Sequence, residues 1–451
     1  MSYDSWGSNT GVDRAACAAA DVTPELLRSG SFLPFGNGRS YGDSCHNDSG
    51  RLIDSRNANR ILGFDEASGA LTCEAGTLLS DVLAYAIPRG YFLPVTPGTR
   101  FVTVGGAIAN DVHGKNHHRR GTFGCHVARL TLVRSDGGPL ECSPTSNSEM
   151  FSATIGGMGL TGLIMQATIR LMRVGTADVR QRTLRFGNLD DYFKHCDAFD
   201  AAHEYAVAWI DQLARGRKFG RGLLLGGDHI AEKAAPMRQS ERQWLQVPFT
   251  PPISLLNRYT LAAFNELFFR KEKVGEAIRT VPWQSYFYPL DSIGRWNRLY
   301  GPRGLFQHQS VYPQTNGSET TAKLMECAQA HGHASFLTVL KKFGSVQSPG
   351  LFSFPRPGFT LTLDFANQGK ATLRLLDALD DIVVAAGGAV NPYKDARMGA
   401  SVFEASFPDW HRLENLRDPA MMSDFWRRTA MVLASPENTA HLGISAKEAA
   451  I

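Results

Sequence analysis

The sequence predicts an α+β fold in two domains, or in one large domain with an insert. Short apolar runs alternate with glycine-rich turns over about residues 33–171, where strand patterns predominate. Aromatic and basic residues then become frequent over about residues 175–380, which indicates a second domain. At 451 residues, the chain also exceeds the about 250–300 residues at which single hydrophobic cores stop growing.

Individual segments of the first region carry the signals of strands and of one helix. RLIDSR from Arg51 and ALTCEAG from Ala70 predict strands, the second by its alternation of apolar and polar residues. LLSDVLAYAIPRG from Leu78 predicts a helix with Thr77 as its N-cap and Gly90 after its end. HVARLTLVRSDGGPLECS predicts two strands joined by an Asp-Gly-Gly turn, and GLTGLIMQATIRLMRV predicts a further strand.

Two helices are predicted in the second region and one more in the tail. QVPFTPPISLLNRYTLAAFNELFFRK begins as a proline-rich loop and continues as an apolar, helix-like run. ATLRLLDALDDIVVAAGG predicts an amphipathic helix that Gly387 and Gly388 end. The tail from Val390 is predicted to be helical and charged up to the final KEAAI.

Composition excludes several classes of protein. With 47 basic and 43 acidic residues and a net charge of +4, the chain is too balanced for a nucleic-acid binder. Its seven cysteines are odd in number and none is spaced as CxxC, so we expect no disulfide framework, no metal site and a reducing compartment. The first residues lack an apolar signal core, and no run reaches the about 18 apolar residues of a membrane span. We therefore expect a cytoplasmic protein with at most peripheral contact to a membrane.

Three glycine-rich segments are the main candidates for ligand binding. They are PFGNGRSYGDS from Pro34, PGTRFVTVGGAIA from Pro97, which runs on into DVHGKN, and IGGMGLTG from Ile155. Glycine turns form concave nests of N–H donors because no Cβ blocks the approach of a diphosphate. Each segment alone is equally compatible with tight surface turns, but together they predict a dinucleotide pyrophosphate site. None is a GxGxxG fingerprint or a Walker A loop, which argues against a nicotinamide or an ATP site.

These segments also carry a resemblance. FGNGRSYGDS, PVTPGTRFVTVGGAIANDVHGKNHHRRGTFGCHV and ATIGGMGLTGLIMQATI resemble the FAD domain of the vanillyl-alcohol-oxidase, or PCMH-type, flavoproteins. GKNHH, LDSIGRWNRLYGP, SFLTVLKKFG and YKDAR resemble the decaprenylphosphoryl-β-D-ribose oxidase family in particular, over about residues 6–428. The resemblance implies a two-domain PCMH-type FAD-binding fold with an inserted antiparallel-sheet substrate domain. The FAD domain would comprise residues 1–176 and 389–451, and the substrate domain residues 177–388.

The resemblance further implies which residues hold FAD. Many relatives attach FAD covalently through a histidine of the first loop, but this chain has Arg39 there, so we expect non-covalent FAD. His46 is interpreted as a solvent-exposed turn histidine. The positions that match FAD contacts of the family are Gly36, Asn37, Gly38, Arg39, Ser40, Tyr41, Gly42, Gly98, Thr103, Gly105, Gly106, His113, Gly114, Lys115, Asn116, Gly162 and Ile164.

Three residues are candidates for catalysis. Lys394 in NPYKDAR matches a family lysine near flavin and substrate, where it would act either as a base or as a fixed positive charge that stabilises the reduced flavin. His113 would act on the hydroxyl proton, or would only pack and hydrogen-bond in the core. Tyr41 would donate to the flavin or substrate, with simple packing as the alternative.

Further positions match the substrate side of the family. Gln307, Gln309 and Lys341 join Lys394 there; amides suit sugar hydroxyls, and a lysine suits a phosphate. A structural role is an equal alternative for the first three.

The chain departs from its relatives at two positions. Thr362 stands where some relatives have a cysteine, so no reactive pocket thiol is expected. Asn391 stands where relatives have a tyrosine near the flavin.

The family oxidises the 2-hydroxyl of a polyprenylphosphoryl-ribose to a keto sugar, the first half of an epimerisation to arabinose. The resemblance therefore implies an FAD-dependent oxidoreductase of cell-wall arabinan synthesis, with a short-chain dehydrogenase/reductase partner and peripheral contact at the inner face of the membrane. The segment PISLLNRYTLAAFNELFFRK could supply that contact, although its pattern alone favours an ordinary buried helix of the second domain. Two other functions stay open, a soluble alditol or aldonolactone oxidase and a non-catalytic flavin-binding subunit.

Overall fold

The structure is a computed structural model that describes residues 3–8, 12–232, 245–272 and 275–435. The strands of these residues are β1 (Ala16–Ala18), β2 (Phe32–Phe35), β3 (Arg51–Asp54), β4 (Ile61–Asp65), β5 (Ala70–Glu74), β6 (Tyr91–Phe92), β7 (Val127–Val133), β8 (Leu140–Cys142), β9 (Leu163–Arg170), β10 (Met172–Arg173), β11 (Val179–Phe186), β12 (Tyr205–Ile210), β13 (Gly222–His229), β14 (Leu245–Gln246), β15 (Gly275–Val281), β16 (Ile293–Gly294), β17 (Leu305–Tyr312), β18 (Thr338–Phe343), β19 (Gly358–Ala366) and β20 (Ala389–Val390).

Helices connect these strands, which confirms the mixed α+β class. The helices are α1 (Pro24–Leu27), α2 (Leu79–Ala86), α3 (Val104–Ala109), α4 (His117–Arg120), α5 (Ser148–Thr154), α6 (Leu189–Ala202), α7 (Arg258–Lys271), α8 (Trp283–Phe287), α9 (Gly317–Ala330), α10 (Lys370–Ala385), α11 (Ala400–Ser406), α12 (Trp410–Leu416), α13 (Asp424–Arg428) and α14 (Ala430–Leu433).

The first glycine-rich region is organised around two small sheets. One is a parallel sheet in the order β1-β3-β2, and the other is antiparallel in the order β4-β5-β9-β7-β8. The predicted alternation holds in β5, where Leu71 and Cys73 are fully buried. The predicted turn between β7 and β8 is also confirmed, since Leu130 pairs with Cys142 across it.

Helix α2 begins one residue later than its predicted cap implies. The N-cap is Leu78, without a side-chain hydrogen bond, so the prediction of Thr77 as N-cap is wrong. The Thr77 hydroxyl instead donates to the carbonyl oxygen of Arg60, 3.4 Å away, a tertiary partner that a local pattern cannot show. Gly90 does end the segment, in the left-handed conformation at φ 76°.

A large antiparallel sheet dominates the rest of the chain. Its order is β15-β11-β13-β12-β18-β19-β17-β20, and its strands come from residues 179–390. Helices α6, α9 and α10 contact one another or its strands, and α10 buries Leu375, Leu376, Leu379 and Val383 as its amphipathic pattern predicted. The division of the chain into an FAD domain and an inserted substrate domain remains our proposal.

Helix α7 follows the proline-rich loop, as predicted, but it is not an ordinary buried helix. Tyr259 and Leu267 are both 73% exposed, and Ile253, in the loop before the helix, is 70% exposed. Within the described ranges, no helix combines the length and the apolar character needed to cross a membrane. The tail from Val390 carries α11 to α14, which confirms its predicted helical character up to residue 435, whereas its end, KEAAI, lies outside the described residues.

Candidate active site

A cavity of about 1470 Å³ lies between the glycine-rich loops and one face of the eight-stranded sheet. Most residues assigned to FAD or substrate from the sequence line it. These are Gly36, Asn37, Gly38, Arg39, Ser40, Tyr41, Gly98, Thr103, Gly105, Gly106, His113, Gly114, Lys115, Gly162, Ile164, Gln307, Lys341 and Lys394.

Three assigned residues, Gly42, Asn116 and Gln309, lie behind the cavity wall instead. Asn116 is fully buried, and its amide donates to the carbonyl oxygen of Pro94 at 2.8 Å and to Glu204 at 3.1 Å. It therefore fixes the segment that carries His113 and Lys115 without facing the cavity.

The first two glycine-rich loops are held together by direct contacts. The amide of Asn37 donates to the carbonyl oxygen of Phe101 at 2.7 Å. A Cβ on Gly36 would lie 2.5 Å from Oγ1 of Thr103, the residue that caps α3 through the amide of Gly106. Only glycine allows this approach, so the loops reach the cavity as one unit.

Several features of these loops fit a bound dinucleotide. A Cβ on Gly98 would project into open space beside the cavity, which leaves room for a ligand against the backbone. The Nε atoms of Arg39 and Arg100 are buried in the cavity wall and find no hydrogen-bond partner among the described residues. Unpaired buried donors of this kind suit the anionic diphosphate of FAD.

Arg39 is the first-loop residue on which the expectation of non-covalent FAD rests. Its guanidinium lies 4.3 Å from the ring centroid of Trp6, and burial lowers its pKa while leaving it a cation at neutral pH. A guanidinium is not a nucleophile towards a flavin, which agrees with non-covalent binding.

The first loop also touches the segment that carries Lys394. A Cβ on Gly42 would overlap the carbonyl oxygen of Asp395 at 1.6 Å, and the amide of Asp43 donates to the same oxygen at 3.3 Å. Neighbouring side chains strengthen the contact, since Arg428 pairs with Asp43 at 2.7 Å and with Asp395 at 3.4 Å.

The sheet forms the floor of the cavity, and strand register decides which side chains face it. Gln307 on β17 is opposite Asp364 on β19, while Lys341 on β18 is opposite Thr360 on β19. Directly opposed residues of an antiparallel pair project from the same face. We call Gln307, Lys341 and Thr362, with the buried Asp364 bonded to Gln307 and with Lys394 from the loop after β20, the polar end of the floor.

The floor becomes apolar further along the same sheet. Val207 and Trp209 on β12 and Leu223 and Leu225 on β13 all line the cavity. We call these four residues the apolar end of the floor. At the next strand, Gln181 and Thr183 hydrogen-bond to each other at 2.8 Å.

The apolar end leads to helix α7. The ring of Trp209 meets that of Phe268 edge-on at 4.8 Å, and Phe264 and Lys271 also line the cavity. The cavity therefore extends from the glycine-rich loops to the helix whose outer face is exposed.

Asp364 is a site residue that the sequence analysis missed. It is fully buried, and Gln307 Nε2 donates to its Oδ1 at 2.5 Å. Burial raises the pKa of Asp364, and it lowers the pKa of Lys394, while the facing charges of the two groups oppose both shifts. A signal was present in GFTLTLDFA, because Thr360, Thr362 and Asp364 recur at every second position of an apolar strand.

Tyr41 lies beside this pair. Its ring centroid is 5.7 Å from Lys394 Nζ. Burial raises the pKa of the Tyr41 hydroxyl well above its ordinary value, so it stays protonated and can donate a hydrogen bond.

His113 belongs to a separate hydrogen-bonded group. Its Nδ1 is 2.8 Å from Lys341 Nζ, and its Nε2 is 3.1 Å from Gln309 Nε2. Gln309 in turn accepts from the amide of Asn391 at 3.0 Å. Burial and the nearby lysines lower the pKa of His113 well below its ordinary value, so the imidazole is neutral at neutral pH.

Lys115 and His46 both differ from ordinary surface residues. Lys115 donates to the carbonyl oxygen of Tyr286 and lies 4.5 Å from its ring centroid, and burial lowers the Lys115 pKa to about 7. His46, interpreted from the sequence as exposed, is 1% exposed, so that interpretation is wrong. The segment with Asp4 and Arg14 covers it, and burial lowers its pKa to about 4.

Comparison with known proteins agrees with this geometry. Residues 27–143 match the family described as "FAD binding domain". The chain is 37% identical over 413 residues to decaprenylphosphoryl-beta-D-ribose oxidase of Mycolicibacterium smegmatis, which covers 88% of each chain. It is 34% identical to an uncharacterised protein in the mprA 5' region of Streptomyces coelicolor, over 76% of this chain and 97% of that one. It is 31% identical to L-gulonolactone oxidase of Mus musculus over 36% of this chain and 38% of the mouse protein.

The glycine-loop cavity and the matched domain define an FAD-dependent oxidoreductase, which confirms the cofactor and the enzyme class expected from the sequence. The L-gulonolactone oxidases share only part of the chain, whereas the mycobacterial relative matches nearly all of it. The chain belongs to the decaprenylphosphoryl-β-D-ribose oxidase family.

Proposed function

We propose that the protein oxidises the 2-hydroxyl of a polyprenylphosphoryl-ribose to a 2-keto sugar, the first half of an epimerisation to arabinose in cell-wall synthesis. The observation that carries the proposal is the change of the cavity floor from polar to apolar along one sheet. A sugar head group suits the polar end beside the glycine loops, and an isoprenoid tail suits the apolar end. A free sugar has no apolar tail that could contact the apolar end of the floor.

Bound FAD supplies the acceptor for the hydride that leaves the sugar carbon. The residues assigned to FAD from the sequence would hold it, with the first two loops and the unpaired Nε atoms of Arg39 and Arg100 at the diphosphate. The protein must then orient the sugar and remove its hydroxyl proton.

The polar end can perform both tasks. Lys394 is our candidate for the group that takes the hydroxyl proton, because burial favours its neutral form. The carboxyl of Asp364 opposes that effect, and Gln307 holds this carboxyl in place. Tyr41 offers a phenolic donor near Lys394. His113, hydrogen-bonded at both ring nitrogens, is better suited to positioning than to proton transfer.

Contact with a membrane surface belongs to the same proposal. A polyprenyl substrate resides in a bilayer, and the apolar end of the floor reaches α7. The outer side of this helix carries Tyr259 and Leu267, with Ile253 in the loop before it, all largely exposed. Exposed apolar groups beside a ligand tunnel are typical of surfaces that meet another apolar phase.

A second candidate function is oxidation of a soluble sugar, which the partial likeness to L-gulonolactone oxidase favours. The proposed keto product also requires a reductase to complete the epimerisation, and a short-chain dehydrogenase/reductase supplies that chemistry. A flavin-binding subunit without turnover would not need a buried lysine in the cavity wall whose charge is influenced by a buried carboxyl group.

The test is an anaerobic mixture of the purified holoprotein with decaprenylphosphoryl-ribose, followed by the visible absorbance of the flavin. We expect the flavin band to bleach with this lipid and not with free alditols or aldonolactones. Bleaching with a free polyol alone would favour the second candidate. Absence of bleaching with every sugar would support a protein without turnover of its own.

A further inference from the structure

The side-chain hydrogen bonds behind the cavity wall form a chain. At its first link, a backbone N–H group fixes which atom donates and which atom accepts. The backbone amide of Tyr393 donates to Oδ1 of Asn391 at 3.0 Å, and a backbone N–H can only donate. Asn391 must therefore present its Nδ2 to Gln309, and Nδ2 lies 3.0 Å from Oε1 of Gln309. Turning the Asn391 amide over would place its Nδ2 against the N–H of Tyr393. Turning the Gln309 amide over would place its Nε2 against Nδ2 of Asn391.

This direction passes on to His113. With its Oε1 engaged, Gln309 has only the two N–H groups of Nε2 left to offer. One lies 3.0 Å from Oγ1 of Thr360, and the other faces Nε2 of His113 at 3.1 Å. His113 Nε2 must accept, so it carries no proton. A neutral imidazole has one N–H, which must then be on Nδ1.

The final link of the chain is a lysine. Nδ1 of His113 lies 2.8 Å from Nζ of Lys341, and an Nδ1–H can only donate to it. An ammonium group has no lone pair to accept this bond, whereas an amine has one. We propose that the chain from Asn391 through Gln309 and His113 holds Lys341 as an uncharged amine, which donates a hydrogen bond to a sugar hydroxyl and is not a counter-ion for phosphate.

The surroundings of Lys341 agree with this state. One of its N–H groups donates to the carbonyl oxygen of Gly114 at 2.9 Å, and another remains for the cavity that Lys341 lines. Among the described residues, the main charged or titratable groups that act on Lys341 or His113 are Lys394, Lys115 and His117, which are all cationic when protonated. Burial and these lysines lower the pKa of Lys341 well below its ordinary value. Lys394 differs, because it faces Asp364.

The chain begins at Asn391. A side chain without an amide group could not both accept from Tyr393 and donate to Gln309 in this way. The protonation state of Lys341 follows from the hydrogen bonds alone, while its role towards the sugar rests on the proposed function.

Nitrogen NMR of the holoprotein labelled with ¹⁵N-histidine tests the protonation state directly. We expect His113, assigned with His113→Gln, to show a protonated Nδ1 and an unprotonated Nε2. In Asn391→Asp the carboxylate can only accept, so Gln309 turns over, and the proton moves to Nε2. Asn367→Asp, which alters an amide bonded to Arg303 and Gly369, is the control and should leave His113 unchanged.

A proton on Nε2 of His113, or on both nitrogens, in the unaltered protein would overturn the proposal. So would an unchanged tautomer in Asn391→Asp. If that variant does not fold, Gln309→Glu reverses the same link, because a carboxylate there also requires a proton on Nε2. These readouts need no turnover, so their failure is distinguishable from failure of the proposed function.

The role of Lys341 is tested by two substitutions in the lipid-sugar assay. Lys341→Gln keeps an uncharged donor and should leave KM within a few-fold, whereas the permanently charged Lys341→Arg should raise KM about ten-fold. The reverse order would assign Lys341 to phosphate and would overturn this part of the inference.

Discussion

The two ends of the cavity floor come from one continuous sheet, yet they differ in almost every physical respect. At the polar end, Lys341 and Lys394 are held by hydrogen bonds or by a facing carboxyl, and burial changes their protonation. At the apolar end, Val207 and Trp209 offer only surface and shape. The difference teaches that chemistry and substrate length are controlled by separate strands, so each can be altered alone.

Removing Lys394 from the polar end should have the largest effect. In Lys394→Met we expect kcat to fall by about 10²–10⁴-fold, the usual contribution of a positioned proton-transfer group. FAD should remain bound, which its absorbance shows. Lys342→Met is the control, because Lys342 points to the other side of the sheet and pairs with Asp197 at 2.8 Å. An unchanged kcat in Lys394→Met would remove the lysine from the mechanism.

The pH profile of Asp364→Asn should reveal which form of Lys394 acts. The Asp364 carboxylate raises the pKa of Lys394, so its loss should lower that pKa. If Lys394 acts as the base, the acidic limb of kcat against pH moves to lower pH. If it acts as a fixed charge, the alkaline limb moves down instead. A profile without any shift would mean that the two groups do not interact.

Removing a large side chain from the apolar end should change how KM depends on the length of the lipid tail and should leave kcat unchanged. For Trp209→Ala we expect KM for the decaprenyl substrate to rise about ten-fold, since an aromatic contact with the tail is lost. Ribosyl phosphate without any isoprenoid tail cannot make this contact and serves as the internal control. Equal increases for both substrates would place the sugar, not the tail, beside Trp209.

The smallest effect is expected outside the cavity. Leu267→Ser should weaken sedimentation with phospholipid vesicles, while the free energy of unfolding changes by no more than about 0.5 kcal/mol, because Leu267 is 73% exposed. Leu62→Ser, at an exposed leucine of β4, is the matched control. Equal vesicle binding by the two variants would show that α7 does not contact the membrane.

The local features of this molecule could be predicted from the sequence better than the contacts between distant segments. The glycine-rich loops, the β7–β8 turn and α10 depend on neighbouring residues, and all could be predicted. Thr77 and His46 were misinterpreted because distant segments supply their environments. Asp364 was missed for the same reason, since its partner Gln307 is set by strand register.

Because Gly42 packs closely against Asp395, binding of FAD to the first glycine-rich loop should also order the segment that carries Lys394. When FAD binds and restricts the motion of the first loop, it must also restrict residues 391–398, which pack against that loop. Amide hydrogen exchange in that segment should therefore slow when the apoprotein is reconstituted, although the segment is more than three hundred residues away in the chain. Binding of FAD would then stabilise the arrangement of Lys394 beside the cavity.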